Sequence, residues 1–303
     1  MAVLPAGAED RPNRLIFRCI SEFLIDELRD LTVRLDHNFY RALIYLAIGQ
    51  ASSGDRAKAI SVRAVAQSLR LPYETTRRHV RQLEVDGLVT REGDFRVLTA
   101  PSGSGGVDLT GRDGARLVAL QKLFADLMGL GLAMPLPVRR AAVLDDHSPR
   151  QISHLVDGLI LRVIEGCAFP HESVLDAYIY TALMTLNAAP ITYNTELAGL
   201  YGRSDTPPPD NLRRAVSIGA VARRTGLVHE TVRRRLIRQR ALGRCEQADG
   251  GHLASMAFVQ TPEILRAGQV AVQRFLQFAP AVQAAGLDLD RIPPSTRYEP
   301  AAH

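Results

Sequence analysis

Apolar residues recur along the chain at spacings typical of α-helices. One such pattern begins just after residue 36 and predicts a short helix. Its apolar residues follow one another at intervals of three and four: Phe39, Ala42, Leu43 and Leu46. Because these intervals place side chains on one face of an α-helix, we predict an amphipathic helix over 38–48. Asp36 precedes this helix and is suited to accept hydrogen bonds at its start.

Two more helices and a hairpin are predicted to follow. Ser61 can cap the first of these helices. The inner face of that helix would be Val62, Val65, Ala66 and Leu69. A third helix is predicted over 73–86, and Gly87 can end it in the left-handed conformation. The inner face of the third helix would be Thr76, Val80 and Leu83. Beyond it, the alternation of residues around Gly93-Asp94 indicates a β-hairpin.

The same pattern occurs a second time later in the chain. Segments 60–87 and 216–243 align without gaps and are identical at ten of 28 positions. Similar short apolar segments precede and follow both copies in the same order. The chain therefore reads as a duplicated unit, with copies at 1–140 and 141–287 and a tail at 288–303.

Further apolar patterns predict helices that flank the two repeats. These helices would cover 14–35, 112–130, 151–166 and 262–279. We expect them to pack one unit on the other. The stretch 101–114 is rich in glycine and reads as a flexible connection, and 202–211 reads as an insertion that forms a mobile loop.

The two copies depart from the common pattern at different positions. At the turn between the second and third helices, the second copy has Gly226, which adopts left-handed backbone readily, whereas the first has Arg70. On the core face of the third helix, the second copy has Gln239 where the first has Leu83. We therefore expect a strained turn in the first copy and a weakened helix end and wing in the second.

Positive charge is concentrated around the two repeated segments. The net charge is +5 and the isoelectric point about 9.4, and all basic residues except Lys58 and Lys122 are arginines. Segment 70–91 carries a charge of +2 and segment 223–244 a charge of +7, so the rest of the chain is negative overall. This distribution favours a polyanionic partner.

Several other classes of protein are disfavoured. No stretch approaches about 18 continuous apolar residues, so no membrane span is predicted. The N-terminal residues show no secretion-signal pattern. Cys19, Cys167 and Cys245 are widely spaced and match no metal-binding pattern, so we expect thiols in a reducing cytoplasm.

The segment LPYETTRRHVRQLEVDGLV (71–89) closely resembles the recognition-helix segment of bacterial winged helix-turn-helix transcription regulators of the MarR and GntR kinds. The shared features are a leucine, a polar helix start with threonine, Arg-His in mid-helix, and Gly-Leu-Val leading to the wing. The resemblance covers about 36–100 and, less well, 176–260. It implies a mainly α fold with small β-hairpins, in which two winged helix-turn-helix domains are joined and flanked by helices.

The outer faces of the two third helices, over about 73–86 and 229–242, are the candidate DNA-binding surfaces. The candidate DNA-binding residues are Tyr73, Thr75, Arg77, Arg78, Arg81, Arg91 and Arg96 in the first copy, and His229, Thr231, Arg233, Arg234 and Arg238 in the second. Arginine makes bidentate contacts with guanine and binds phosphates, and threonine near a helix start can bind a phosphate. The alternative is a solvated helix face without a partner. Repetition of the arginines at equivalent positions favours nucleic-acid contact.

We therefore expect a cytoplasmic, nucleoid-associated transcription regulator that binds double-stranded DNA sequence-specifically. One chain would imitate a dimer by placing two recognition helices on two unequal half-sites. A plasmid-type replication initiator with tandem winged helices and a winged-helix scaffold that binds no DNA stay open as alternatives. The flanking helices could support homodimerisation, and an apolar pocket between them could hold a small-molecule effector that the sequence does not specify.

No catalytic, cofactor or metal site is predicted. Asp145, Asp146 and His147 cluster, but they read as a linker before a helix. The glycines of 101–114 lack the lysine and hydroxyl residue of a phosphate-binding loop. Neither a Ser-His-Asp nor a Cys-His arrangement can be argued from the sequence, so an enzyme is not expected.

Overall fold

The computed structural model describes residues 2–3, 12–52, 59–93, 96–99, 109, 111–133, 148–167 and 170–295. In this part of the chain most residues are helical. The α-helices are α1 (Asn13–Arg34), α2 (Phe39–Ser52), α3 (Val62–Ser68), α4 (Tyr73–Val85), α5 (Arg112–Gly129), α6 (Ser148–Cys167), α7 (Val174–Thr192), α8 (Thr195–Leu200), α9 (Ile218–Thr225), α10 (His229–Ala241), α11 (Met256–Val259) and α12 (Pro262–Ala284). Two short 3₁₀ helices cover Asp210–Leu212 and Leu289–Arg291.

The strands of the described residues form small sheets. They are β1 (Ala2–Val3), β2 (Ile60–Ser61), β3 (Val89–Glu92), β4 (Arg96–Thr99), β5 (Leu132–Ala133), β6 (Cys245–Ala248) and β7 (Gly251–Ala254). Strands β2, β4 and β3 form an antiparallel sheet in that order, with Val89 opposite Thr99. Strands β6 and β7 form a hairpin, which Val216 extends by a bridge to His252. Strand β1 pairs in parallel with β5. The prediction of a mainly helical fold with small β-hairpins is confirmed.

Local hydrogen bonds and backbone angles explain where α3 and α4 begin and end. The Ser61 hydroxyl oxygen accepts a hydrogen bond from the backbone N–H of Ala64 at 3.1 Å, as predicted for a helix cap. The turn after α3 contains Arg70 in the left-handed conformation (φ +52°), which costs a residue with a side chain about 1 kcal/mol. The predicted strain is therefore present. Gly87 follows α4 with φ +69°, as predicted.

The start of α2 corrects one prediction. Asn38, rather than Asp36, caps this helix, because its side-chain oxygen accepts a hydrogen bond from the N–H of Arg41 at 3.1 Å. Asp36 has a left-handed backbone (φ +57°), and its carboxylate accepts a hydrogen bond from the buried Arg41 guanidinium at 2.7 Å. Arg41 also pairs with Asp86, which follows α4. This arginine therefore ties α2 to the end of α4.

The second repeat reproduces the local structure of the first. Ser217 caps α9, and Gly226 and Gly243 have φ values of +70° and +69°. Beyond α10, the N–H of Arg244 donates to the carbonyl oxygen of Gln239 at 2.9 Å. The expected weakness of this helix end and wing was wrong for the backbone, because α10 closes in the same way as α4 and β6 pairs with β7 over four residues.

Helix α1 lies at the centre of the molecule. It packs against α12, α7, α5, α9 and α2, so it contacts both repeats. Thirteen of its 22 residues are buried. Ile16, Ile20 and Leu31 are completely inaccessible to solvent. The flanking helices thus pack one unit on the other, as expected. Since the apolar face of α1 is covered within the chain, the homodimer predicted for the flanking helices cannot use that face.

A buried ion network joins three of the flanking helices. Arg116 of α5 pairs with Glu27 of α1 at 2.6 Å and with Asp157 of α6 at 2.5 Å. The side chain of Arg116 is only 1% exposed. Removing one partner of a buried pair leaves an uncompensated charge, so this network resists any change in the relative positions of α1, α5 and α6.

The C-terminal part of the described chain is folded further than its sequence predicts. Helix α12 continues beyond residue 279, where we expected it to end. In the predicted tail, Leu289 and Ile292 are buried, and the N–H of Ser295 donates a hydrogen bond to α5. Residues 288–295 therefore pack on the core through Leu289 and Ile292, and the predicted tail is wrong for this segment; 296–303 lie outside the described residues.

Candidate nucleic-acid interface

Helix α4 has an apolar inner face and a basic outer face, as its sequence predicts. Thr76, Val80 and Leu83 are completely buried on the side that packs against α2 and α3. The candidate contact residues of this helix are exposed or half-buried: Tyr73, Thr75, Arg77, Arg78 and Arg81. The sequence therefore identified the solvent face of α4 correctly.

Ion pairs hold two arginines at the edge of this surface. Arg77 pairs with Glu74 within α4 at 2.7 Å, and Arg91 on β3 pairs with Glu84 on α4 at 2.5 Å. Exposed pairs of this kind contribute about 0–1 kcal/mol, so a phosphate can compete for either guanidinium. Arg96 lies in β4, with its backbone opposite Ser61 in the sheet; its side chain is not among the described ones.

The arginines in the middle of the α4 surface are differently placed. Arg78 and Arg81 make no ion pair with any residue that the structure describes. An open groove runs between α4, the start of α3 and β3, and a second hollow lies on the exposed face of α4 itself; Arg81 lines both. Arg63, exposed near the start of α3, lines one groove and was missing from the predicted set. The sequence could have indicated Arg63, because this residue lies two positions after the Ser61 cap, in the first turn of α3. That turn borders α4.

Helix α10 has the same two faces. Val232, Leu236 and Gln239 are buried. The candidate contact residues are exposed or half-buried: His229, Thr231, Arg233, Arg234 and Arg238. Ile237, which is 42% exposed, occupies the position that Arg81 has in the first repeat. The outer face of α10 therefore has an apolar side chain where α4 has a guanidinium group.

Ion pairs engage all three predicted arginines of α10. Arg233 and Arg234 pair with Glu230 at 2.7 and 2.8 Å. Hydrogen bonds from Arg233, the larger effect, and from Arg234 lower the pKa of the Glu230 carboxyl group to about 2. Arg238 pairs with Glu172, which precedes α7, at 2.6 Å. The second surface is thus rich in cations that already have a carboxylate beside them.

Polar contacts hold the inner side of α10, and sequence reasoning missed them. Arg235 donates to the carboxylate of buried Asp176 at 2.9 Å. The side-chain amide of Gln239 donates to the backbone oxygen of Asp176 at 3.0 Å. In the first repeat the position of Gln239 is filled by Leu83, which is completely buried. Gln239 on a face expected to be apolar, with Arg235 one turn before it, was the available signal for this anchor.

Tyr40 of α2 packs against the middle of α4. Its ring stacks on His79 of α4, with the ring centroids 6.3 Å apart. Burial is the main cause that raises the pKa of Tyr40, and Arg235 opposes the rise to a smaller extent. Helix α4 is therefore held against α2 by an aromatic contact as well as by its apolar face.

Two other kinds of site are absent from the described part of the chain. No cluster of His, Cys, Asp and Glu among the described residues could hold a metal ion. None of the described helices combines the length and the apolar character needed to cross a membrane. The cluster Asp145-Asp146-His147 and most of 101–114 lie outside the described residues. A scan against protein-family models, a search of curated proteins and a search of solved structures all find no match to this chain.

Proposed function

We propose that the chain is a transcription regulator that binds double-stranded DNA sequence-specifically through two winged helix-turn-helix units, with α4 and α10 as recognition helices. The observation that carries the proposal is the doubled local structure. Each copy has a capped short helix, a left-handed turn, a helix with an arginine-bearing outer face, and a hairpin. An α-helix held outward in this way fits the major groove of B-DNA.

In the first unit, Arg78 and Arg81 are the candidates for base contact. Both are exposed on α4 and free of ion pairs with described residues, so their guanidinium groups can donate in pairs to guanine. Thr75 and Tyr73, at the start of α4, are suited to phosphates, because the N-terminus of a helix attracts anions. Arg63 extends this basic surface towards the DNA backbone.

In the second unit, the arginines of α10 are assigned to the DNA backbone. Arg233, Arg234 and Arg238 can exchange their exposed carboxylate partners for phosphates at low cost. Because Ile237 replaces the arginine of the first copy, α10 has fewer donors for reading bases. The unit therefore contributes affinity that depends weakly on sequence.

Both helices belong to one chain, so a single molecule would occupy two unequal half-sites. Footprinting of the purified chain on its own site tests this arrangement. Two protected groove segments per bound molecule are expected, and the segment contacted by α4 should show the stronger sequence preference. One protected segment per molecule would contradict the arrangement, although binding itself would stand.

The function is tested by selecting bound fragments from genomic DNA with the purified chain. A common sequence should be enriched, and Arg81→Ala should lose that enrichment. Arg274→Ala is the matched control, because Arg274 is exposed on α12, outside both repeats. If the unsubstituted chain enriches no common sequence, the proposal is refuted. Equal behaviour of the two variants would refute the assignment of α4.

A further inference from the structure

An apolar cavity lies away from the basic helices, between α1, α7 and the start of α12. Its empty volume is about 640 Å³, part of which is open to solvent. Its apolar walls include Phe17, Met184, Met256, Val259 and Leu265. The insertion 202–211, which we expected to be a mobile loop, lies along one side. It is held by Arg14, whose guanidinium donates to the carbonyl oxygens of Arg203 at 3.1 Å and Ser204 at 2.9 Å.

Arg18 lines this cavity and is 4% exposed. Its Nη1 atom is buried and has no hydrogen-bond partner among the residues that the structure describes. No described carboxylate contributes to its electrostatic environment. Burial, with a smaller effect of Arg14, lowers the pKa of Arg18 to about 10, so the group stays charged at neutral pH. A buried charge without a partner is destabilising, and an anion bound beside it removes that cost.

The other arginines at the cavity are held by the protein. Arg14 is bonded to the insertion, as described. Arg213 donates to the carbonyl oxygen of Ala254 at 2.6 Å and pairs with Asp210. The Nε atom of Arg213 is also buried, again without an acceptor in the described part of the chain. Two arginines that line one apolar cavity thus each have an N–H group that no described residue satisfies, and the partner that suits both is an acceptor with negative charge.

We propose that this cavity binds a small apolar monocarboxylate, with the carboxylate on Arg18 and the hydrocarbon part against Phe17 and Met184. The planar guanidinium group matches the two oxygens of a carboxylate. The apolar walls disfavour phosphate esters and sugars, whose additional polar oxygens would be buried without donors. This site does not depend on whether the chain binds DNA.

Calorimetric titration with benzoate and hexanoate, and with benzamide and hexanamide as neutral matched probes, tests the proposal. At least one acid should bind the unsubstituted chain about tenfold more tightly than its amide, because hydrogen bonds between ions are stronger than neutral ones. Arg18→Met should remove this preference. Arg266→Met is the control, since Arg266 is exposed on α12 and does not line the cavity, and it should retain the preference.

Thermal unfolding without ligand separates a binding role from a structural one. Arg18→Met should melt at the same temperature as the unsubstituted chain or higher, because it removes an unpaired buried charge. A lower melting temperature together with unchanged acid binding would overturn the proposal. Binding that does not distinguish acid from amide, or no binding of either acid, would also overturn it.

A second variant fills the cavity and leaves Arg18 in place. Gly268 lines the cavity, and a Cβ atom added there would lie 3.9 Å from the Phe17 ring, an ordinary contact. Gly268→Leu starts from a Cβ atom that fits; it is expected to fold, which circular dichroism checks, and to lose acid binding. If Arg18→Met does not fold, Gly268→Leu tests the proposal in its place. Acid binding retained by folded Gly268→Leu would show that the acid binds elsewhere and would refute the proposal.

Discussion

The two repeats share a backbone and differ in how their basic helices are anchored. Helix α4 rests on apolar Leu83, and its central arginines have no ion pair with described residues. Helix α10 rests on Gln239 and Arg235, both bonded to Asp176, and its outer arginines are paired. The comparison shows that helix caps and left-handed turns determine the path of the backbone. The side chains determine separately how each helix is anchored and which arginines have no ion pair with a described residue.

The largest effect should come from the anchor of α4. Leu83→Ala is expected to lower the free energy of unfolding by about 3 kcal/mol, because it leaves a cavity in the core. Gln239→Ala at the equivalent position should lower it less, by about 1–2 kcal/mol, because it also leaves a cavity and loses a hydrogen bond to Asp176 but removes a buried Oε1 atom that has no partner among the described residues. Denaturant unfolding of both variants measures the difference. Equal losses would show that the polar anchor is as strong as the apolar one.

The next effect concerns DNA and follows from the proposed function. Arg78→Ala should cost about 1–3 kcal/mol on the preferred sequence and little on random DNA, as expected for a base contact. Arg234→Ala should weaken binding to all sequences and reduce the salt slope by about 1, as expected for a phosphate contact. Fluorescence anisotropy over a range of salt concentrations measures both. Identical profiles for the two variants would contradict the division of roles.

A smaller pair of effects with opposite signs is expected at the turns before the basic helices. Gly226→Ala should lower the free energy of unfolding by about 1–2 kcal/mol, because φ is +70° and the added Cβ would lie 2.8 Å from Val33. Arg70→Gly should raise it by about 0.5 kcal/mol, because glycine adopts φ +52° without strain. Scanning calorimetry of the two variants checks the signs, and a loss of stability in Arg70→Gly would show that its side chain makes compensating contacts.

The smallest effect is a dependence on pH that is specific to α10. Since the pKa of folded Glu230 is about 2, below its ordinary value of 4.5, its pairing stabilises the fold above about pH 4.5 and is lost as the pH falls towards 2. Carboxyl NMR should follow this titration directly. In Arg233→Ala the pKa of Glu230 should rise, whereas Arg238→Ala should leave it unchanged. A rise of the Glu230 pKa by the same amount in both variants would show that the summed positive charge of α10, rather than the ion pair with Arg233, lowers this pKa.

Much of the fold could be predicted because its signals are local. The capping serines, Ser61 and Ser217, and the glycines that follow α4 and α10 act within a few residues, so sequence spacing identifies them. The correction at α2 has a long-range cause. Asp36 is drawn away from the cap by Arg41, which also reaches Asp86 on another helix, and no local pattern records that contact.

The candidate site shows the same limit. Its exposed positions followed from helical periodicity, because that depends on one helix alone. The ion pairs did not, since Arg91 on β3 meets Glu84 on α4, and Arg238 meets Glu172 because α10 packs beside the start of α7. The buried state of Arg18 was likewise hidden, because an arginine in an amphipathic helix is normally expected at the surface.

The central position of α1 has a consequence for how the chain is made. Residues 13–34 leave the ribosome well before α12, against which α1 packs and which is synthesised only after both repeats. Until then the apolar face that contains Ile16 and Ile20 cannot be fully covered. Exposed apolar surface in a nascent chain promotes aggregation, so folding during translation should depend on chaperones that shield α1. For the same reason, neither repeat expressed alone would provide α1 with all of its partners.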